Sequence, residues 1–182
     1  TDPNHLDGVD PLAPAFALTA AKIAARLTRK PMGAKVAAVL RPCEIRAFVE
    51  LVKLKQGCTD EVILIGMDCL GALQNKDYFQ LVEQNAAEST VMFYEHALRG
   101  KSTETGGVDL APACKACEYP VAENADILIG LYGMDIGHSL LVQSRTEAGD
   151  HILKQMNLAA ADEPQGRQDA IKAIIKERTQ YR

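Results

Sequence analysis

The chain has 182 residues, of which 47% are hydrophobic and 24% are charged, and its formal net charge at pH 7 is −4. This length allows one generous hydrophobic core or two small ones. The acidic balance and the lack of a basic run argue against nucleic-acid binding, and no apolar stretch has the length of a membrane span or opens the chain as a signal peptide would.

The cysteine content indicates the compartment. The chain has an odd number of cysteines, and we find no secretory signal in it. In a reducing compartment clustered cysteines bind metal more often than they form disulfides, so we expect a cytoplasmic protein. Because the chain begins with Thr1 and not with methionine, we also expect it to be a fragment of a longer subunit.

In chain order, the first predicted elements are a proline-bearing arm and a helix. Residues 1–18 predict the arm, and Thr19 can cap the helix that follows it. The predicted apolar face of this helix comprises Ala20, Ile23, Ala24 and Leu27.

A βαβ unit comes next. The apolar run at 34–40 predicts a buried strand, 43–56 predicts an amphipathic helix, and 61–67 predicts a second buried strand. Strands joined through a helix should be parallel, with a right-handed crossover. The carboxyl ends of both strands then lie at one edge of the sheet, where open α/β sheets bind ligands.

The remaining predicted elements are a helix at 77–89, an ambiguous stretch at 91–99, a polar loop at 100–113, strands at 126–130 and 138–142, and helices near 145–157 and 167–179. We therefore predict a single α/β domain over 1–182, with a small, mostly parallel sheet, flanking helices and a cysteine-bearing loop. Residues 145–182 form its helical C-terminal tail.

Four cysteines carry the functional signal of the chain, namely Cys43, Cys69, Cys114 and Cys117. Cys43 and Cys69 follow the two strands of the βαβ unit, whereas the polar loop leads into the C-x2-C pair Cys114 and Cys117. Four thiolates that a fold brings together can hold an iron–sulfur cluster or a tetrahedral zinc ion. Structural zinc usually takes two close pairs, so the two single cysteines favour an iron–sulfur cluster.

Other interpretations of the thiols stay open. The same four cysteines can form a structural zinc-binding interaction domain without redox activity. A dithiol redox pair is disfavoured, because such a pair begins a helix directly after a strand and Cys114 follows a loop. Cys58 follows Gly57 in a predicted turn and fits no spacing, so we expect it to be a spare thiol.

The residues around the cysteines suit an anionic centre. A helix that begins at Cys43 places its first amides beside such a centre, and the basic residues Arg41 and Lys115 flank two of the cysteines. No P-loop and no GxGxxG motif occurs in the sequence. Glycines at 106–107 and 130–133 can let backbone approach a flavin, although ordinary turns are the simpler explanation.

Three stretches resemble a known family: RPCEIRAFVELVKLKQG at 41–57, EVILIGMDCLGA at 61–72 and CKACEYPVAENADILIG at 114–130. They resemble the coenzyme F-420 (deazaflavin) hydrogenase/dehydrogenase beta subunits, and among these the bacterial formate-dehydrogenase-associated ones. The shared order is a Pro-Cys-Glu helix start, a strand with Ile-Gly before a cysteine, a C-x2-C pair and an Ala-Asp-Ile strand. The resemblance covers about residues 34–133.

The resemblance implies one 4Fe–4S cluster held by Cys43, Cys69, Cys114 and Cys117. It also implies FAD, which passes electrons between the cluster and coenzyme F-420 or another partner. The chain would then be an electron-transfer module of a formate dehydrogenase or hydrogenase complex, bound to its catalytic subunit and, in some members, linked to a heterodisulfide-reductase-like subunit. A hydride-transferring enzyme that binds deazaflavin on this chain is an alternative. The chain departs from the family at 128–132, where it has LIGLY in place of Ser-Val-Gly-Asp.

Overall fold

The computed structural model describes residues 9–16, 18–85, 89–98 and 109–182. Its four strands are β1 (Val36–Leu40), β2 (Val62–Met67), β3 (Ile127–Gly130) and β4 (Leu141–Ser144). They form one sheet in the order β1-β2-β3-β4, in which the first two pairs are parallel and the last is antiparallel. The predicted α/β fold with a small, mostly parallel sheet is confirmed.

The helices of the described residues flank this sheet. They are α1 (Ala20–Leu27), α2 (Pro42–Lys53), α3 (Asn75–Asn85), α4 (Ser89–Leu98), α5 (Pro112–Lys115), α6 (Glu147–Met156) and α7 (Arg167–Tyr181). The stretch that the sequence left ambiguous is therefore helical in α4, and most of the predicted loop at 100–113 lies outside the described residues. Among the helices described, none is both long enough and apolar enough to cross a bilayer.

The two strands of the βαβ unit differ in burial. In β2 the residues Val62, Ile63 and Leu64 are all buried, as predicted, and Val62 and Leu64 pack in one core with α1 and α2. The prediction of a buried strand is wrong for β1, where Val39 is 43% exposed. The physical reason is that β1 forms the edge of the sheet and alternate residues on it face solvent.

Helix α1 buries a different face from the predicted one. Its buried residues are Ala21, Ala24 and Ala25, whereas Ile23 and Leu27 are about half exposed. Small side chains let helices approach closely, and Ala25 lies against the backbone of Gly57, where a Cβ atom would come within 3.0 Å of the Ala25 Cα. The apolar periodicity predicted that Ile23 and Leu27 would be buried, whereas the close approach of α1 to its neighbours buries the alanines instead.

The predicted cap of α1 also needs correction. Thr19 is the N-cap residue, but its side chain makes no capping hydrogen bond. Instead, Glu44 at the start of α2 accepts hydrogen bonds from the backbone N–H of Ala20, at 2.8 Å, and from the backbone N–H of Arg41, at 3.1 Å. One carboxylate therefore satisfies the first turns of two helices and ties α1 to α2.

The described part of the chain contains two hydrophobic clusters. The first joins α1, α2 and the sheet around Phe48 and Leu128. The second is built around Phe93 and Leu131, and isoleucines of α7 pack against it. The predicted C-terminal helices exist, but α7 contributes to this second core and buries two arginines there.

A buried ion pair fixes α7 to the end of β2. The guanidinium of Arg167 donates from Nη1 to Asp68 Oδ2 at 2.5 Å and from Nη2 to Asp68 Oδ1 at 3.2 Å. Asp68 Oδ2 also accepts from the backbone N–H of Leu131 at 2.8 Å and of Tyr132 at 3.3 Å. The Asp68 side chain has no exposed surface and Arg167 has 2%. The pair therefore joins β2, the end of β3 and α7.

We expect Asp68→Asn to lower the free energy of unfolding by about 3–5 kcal/mol, because the guanidinium of Arg167 loses its buried counter-charge and keeps Glu163, at 3.4 Å, which is 44% exposed. Urea denaturation followed by circular dichroism measures this. Asp169→Asn on the same helix is the control, since Asp169 and Lys172 form an exposed pair at 3.9 Å and its loss should cost less than about 0.5 kcal/mol. Equal losses in the two variants would contradict the assignment.

Gly149 is expected to resist a substitution that normally stabilises helices. Alanine in a helix interior is ordinarily favoured over glycine by about 1 kcal/mol. In α6, however, a Cβ atom on Gly149 would lie 2.2 Å from the carbonyl oxygen of Asp126, so Gly149→Ala should destabilise the fold by about 1–3 kcal/mol. Thermal denaturation compares it with Gly137→Ala, where the nearest atom lies at 3.6 Å. A stabilised Gly149→Ala variant would show that α6 does not pack there.

Candidate metal centre

Two of the candidate ligands lie at the carboxyl ends of adjacent parallel strands. Cys43 stands in the first turn of α2, directly after β1, and is exposed. Cys69 follows β2 by two residues and is partly buried. Because β1 and β2 pair in parallel, their carboxyl ends meet at one edge of the sheet. The sequence-based placement of these two cysteines is confirmed.

The other two candidate ligands reach the same region on a short helical turn. Cys114 lies in α5, and the backbone N–H of Cys117 donates to the carbonyl of Cys114 at 3.3 Å. After Cys117 the chain passes beside the loop that follows β2, and there the backbone N–H of Cys69 donates to the carbonyl of Pro120 at 2.7 Å. This hydrogen bond holds the C-x2-C segment beside the loop that carries Cys69.

The other three candidate cysteines act electrostatically on Cys43. Although Cys43 as a residue is exposed, partial burial of its thiol is the largest cause that raises its pKa, to about 11, and the charges of Cys69, Glu44, Cys114 and Cys117 raise it further. A backbone hydrogen bond from Cys69 to Pro120 also holds the C-x2-C segment beside the Cys69 loop, so the four candidate cysteines belong to one end of the sheet. Among the described residues, no three His, Cys, Asp or Glu side chains are arranged to hold a single metal ion.

Cys69 experiences opposing influences. Burial raises its pKa most strongly, and the charge of Cys114 acts in the same direction. The guanidinium of Arg41, a hydrogen bond from the backbone of Gly71 and the guanidinium of Arg178 lower the pKa of Cys69. Two cations and one amide thus favour the thiolate of Cys69.

Arg178 is a residue of this site that the sequence analysis missed. It is 3% exposed, and it donates from Nη2 to the carbonyl of Leu70 at 2.6 Å and from Nη1 to the carbonyl of Cys117 at 3.2 Å. It therefore links the Cys69 loop to the C-x2-C segment. A signal was present: Arg167 and Arg178 lie at helical spacing with the isoleucines on the apolar face of α7.

Arg41 serves the N-terminal arm as well as the cysteines. Its guanidinium donates from Nη1 to the carbonyl of Ala15 at 2.8 Å and from Nη2 to the carbonyl of Ala13. It also lies 4.1 Å from the centroid of the Phe16 ring. The arm is thereby fixed next to Cys69, whose pKa the same guanidinium lowers.

A cleft opens between the arm and the edge of the sheet. Its volume is about 450 Å³, and it is lined mainly by apolar side chains with Arg41 and Glu44 among them. Phe16 of the arm, Val39 of β1 and Met67 of β2 form part of its wall. This size falls within the range of small-molecule sites in proteins.

The other basic residue that flanks a cysteine is engaged elsewhere. Lys115 forms an ion pair with Asp109, and its ammonium lies 5.5 Å from the centroid of the Tyr181 ring. Cys58 stands apart from the four candidate cysteines. It precedes β2 at the opposite edge of the sheet, where its backbone N–H donates to Thr28 Oγ1 at 3.2 Å.

Two of the glycines considered above for an approach to a flavin have a packing role in the described residues. A Cβ atom on Gly130 would lie 2.9 Å from Nη1 of Arg167, and one on Gly133 would lie 3.2 Å from the Arg167 backbone. Gly133 also has a φ of 76°, which favours glycine. These positions therefore accommodate Arg167, and the glycines at 106–107 lie outside the described residues.

Comparison with known proteins gives a family match and two informative similarities. Residues 33–163 match the family model that describes the C terminus of the coenzyme F420 hydrogenase/dehydrogenase beta subunit. The chain is 27% identical over 141 residues to the F420-dependent formate dehydrogenase 1 subunit beta of Methanococcus maripaludis. The matched region covers 66% of this chain and 36% of that protein. The chain thus spans about a third of the length of that curated relative.

The structural similarity concerns the fold. A chain of the F420-reducing [NiFe] hydrogenase complex from Methanosarcina barkeri aligns with a TM-score of 0.50 and 20% sequence identity, covering 81% of this chain and 58% of that one. The family model matches well over half of the chain, including all four candidate cysteines. The chain therefore belongs to the family of coenzyme F420 hydrogenase/dehydrogenase beta subunits, as the resemblance of its cysteine-bearing segments predicted.

Proposed function

We propose that this chain is an electron-transfer module of an oxidoreductase complex and that a 4Fe–4S cluster carries the electrons. Its ligands in this proposal are Cys43, Cys69, Cys114 and Cys117. The observation that carries the proposal is that four free cysteines stand on three segments at or beside the carboxyl edge of the sheet, two of which are joined by the hydrogen bond from Cys69 to Pro120. Family membership supports the redox role of the module.

The donor set and its surroundings fit such a cluster. Four thiolates are the ligands that a 4Fe–4S cluster takes, and when bound the cluster supplies one-electron transfer. The thiolates and cluster together carry negative charge, which Arg41, Arg178 and the amino-terminal end of α2 can offset. The chain's own residues bind and orient the centre, and through hydrogen bonds, charge and burial they set its potential.

The family also supports a proposal about the complex. The curated relative is a beta subunit of a formate dehydrogenase, and the structural relative belongs to a hydrogenase complex. We propose that residues 1–182 form one domain of a longer beta subunit and that its partner is the catalytic subunit of a formate dehydrogenase or hydrogenase. A heterodisulfide-reductase-like subunit is the proposed further electron partner, and the cytoplasm is the proposed location.

A flavin is a separate part of the proposal. The cleft beside Arg41 has apolar walls and borders the edge that carries Cys43 and Cys69, which suits the ring system of FAD. When bound, FAD would couple one-electron steps at the cluster to hydride transfer with coenzyme F-420. In the described residues Gly130 and Gly133 contact Arg167, so they do not contribute to this part of the proposal.

We expect the anaerobically purified chain to be brown, to bleach with dithionite and to contain about four irons. Cys69→Ser should lose most of this iron, because serine removes one thiolate ligand from the centre. Cys58→Ser is the matched control and should keep the iron, because Cys58 lies at the opposite edge of the sheet. Iron and zinc analysis, with absorbance of any released flavin, measures all three proteins.

The outcomes separate the candidate functions. Equal loss of iron from Cys69→Ser and Cys58→Ser would contradict the ligand set. Stoichiometric zinc without iron would replace the redox module with a zinc-binding interaction domain. Flavin released in equal amount to the protein would support the FAD part of the proposal, and its absence from iron-loaded protein would remove that part alone.

The accessibility of Cys43 gives an independent test of the ligand set. Only the thiolate reacts with iodoacetamide, and the pKa of Cys43 in the metal-free fold is raised to about 11. Its alkylation rate should therefore rise about tenfold per pH unit below that pKa and level off only above it. Mass spectrometry of the peptide that contains Cys43 measures the rate. In iron-loaded protein Cys43 should be protected, and unchanged alkylation there would contradict its role as a ligand.

A further inference from the structure

We propose that Arg178 is a positioning residue for the four-cysteine centre and that its buried charge raises the reduction potential of the bound cluster. This inference rests on the iron–sulfur function proposed above and adds a residue from the last helix to it. Arg178 lies 61 residues from Cys117 and 108 from Leu70 in sequence, yet it contacts both segments.

The geometry of Arg178 fixes the distance between two ligand loops. Its two terminal nitrogens donate to the carbonyls of Leu70 and Cys117, so one planar guanidinium spans the segment after Cys69 and the C-x2-C segment. A guanidinium can bridge two acceptors in a rigid arrangement, which the single ammonium of lysine cannot reproduce. The separation of these two loops is therefore set by a side chain of α7.

The hydrogen bonds described for Arg178 leave its positive charge without a carboxylate partner, in contrast to the charge of Arg167, the other buried arginine on α7. Arg167 is neutralised by Asp68, whereas the hydrogen bonds described for Arg178 end on carbonyl oxygens that carry only partial charge. The nearby carboxylate of Glu118 accepts from Thr179 at 2.6 Å and pairs with Arg182 at 3.5 Å. Within the described residues, Arg178 thus offers a full positive charge beside Cys69 and Cys117.

The sign of the effect follows from the charge of the cluster. Reduction adds one electron and makes the cluster more negative, so a nearby buried cation stabilises the reduced form. Removing that cation disfavours reduction and lowers the potential. Because only 3% of Arg178 is exposed, solvent screens its charge weakly, which is why an effect is expected from this arginine and not from an exposed one.

The test compares three variants of the iron-loaded 182-residue chain, reduced anaerobically with dithionite. Arg178→Gln should lower the equilibrium constant for one-electron reduction about tenfold, which corresponds to about 59 mV. Arg178→Lys should keep most of the potential but release iron to a chelator several-fold faster, because the charge stays and the bridge is lost. Arg182→Gln, which removes an exposed charge from the same end of the chain, should match the wild type in both.

The measurements are a redox titration followed by electron paramagnetic resonance, iron content and the rate of iron release. A potential in Arg178→Gln equal to that in Arg182→Gln would overturn the electrostatic role. Wild-type release of iron from Arg178→Lys would overturn the positioning role, and this variant decides the matter if Arg178→Gln does not fold. Failure of the wild-type chain to bind iron would instead refute the proposed function itself, so the two failures are distinct.

Discussion

The arrangement of this domain depends on a single buried carboxylate. Asp68 has no exposed surface, and Arg167 together with the backbone amides of Leu131 and Tyr132 supplies the hydrogen bonds that its buried side chain needs. Those partners come from α7 and from the end of β3. Since Asp68 directly precedes Cys69, the same network determines how the chain leaves β2 and where the cysteine is placed.

The two buried arginines of α7, Arg167 and Arg178, have different electrostatic partners. Arg167 serves the scaffold, because its charge is balanced by Asp68. Arg178 and Arg41 lie near Cys69 from different elements, and both lower the pKa of its thiol. Cys69 therefore has two cations in its surroundings although the whole chain is acidic. A site that gathers anionic ligands needs such local compensation, which net charge does not reveal.

Local sequence patterns predicted where most strands and helices lie, but they predicted the burial and the long-range contacts of individual residues less well. The apolar run of β2 and the cysteines after β1 and β2 were predictable, because strand ends follow directly from sequence. The exposure of Val39 was not, because nothing in a short apolar run tells whether a strand will lie at the edge of a sheet. Arg178 acts on residues far away in sequence, so only tertiary structure shows its contacts.

The placement of the two buried arginines has a consequence for biosynthesis. The ribosome synthesises β1, β2 and all four candidate cysteines before α7, which follows every other described element. Arg178 lies 61 residues after Cys117. At a synthesis rate of roughly 5–20 residues per second, Arg178 is therefore added several seconds after the last candidate cysteine. During that time the nascent chain holds its thiols without the guanidinium of Arg178 that bridges the Leu70 and Cys117 segments in the complete fold.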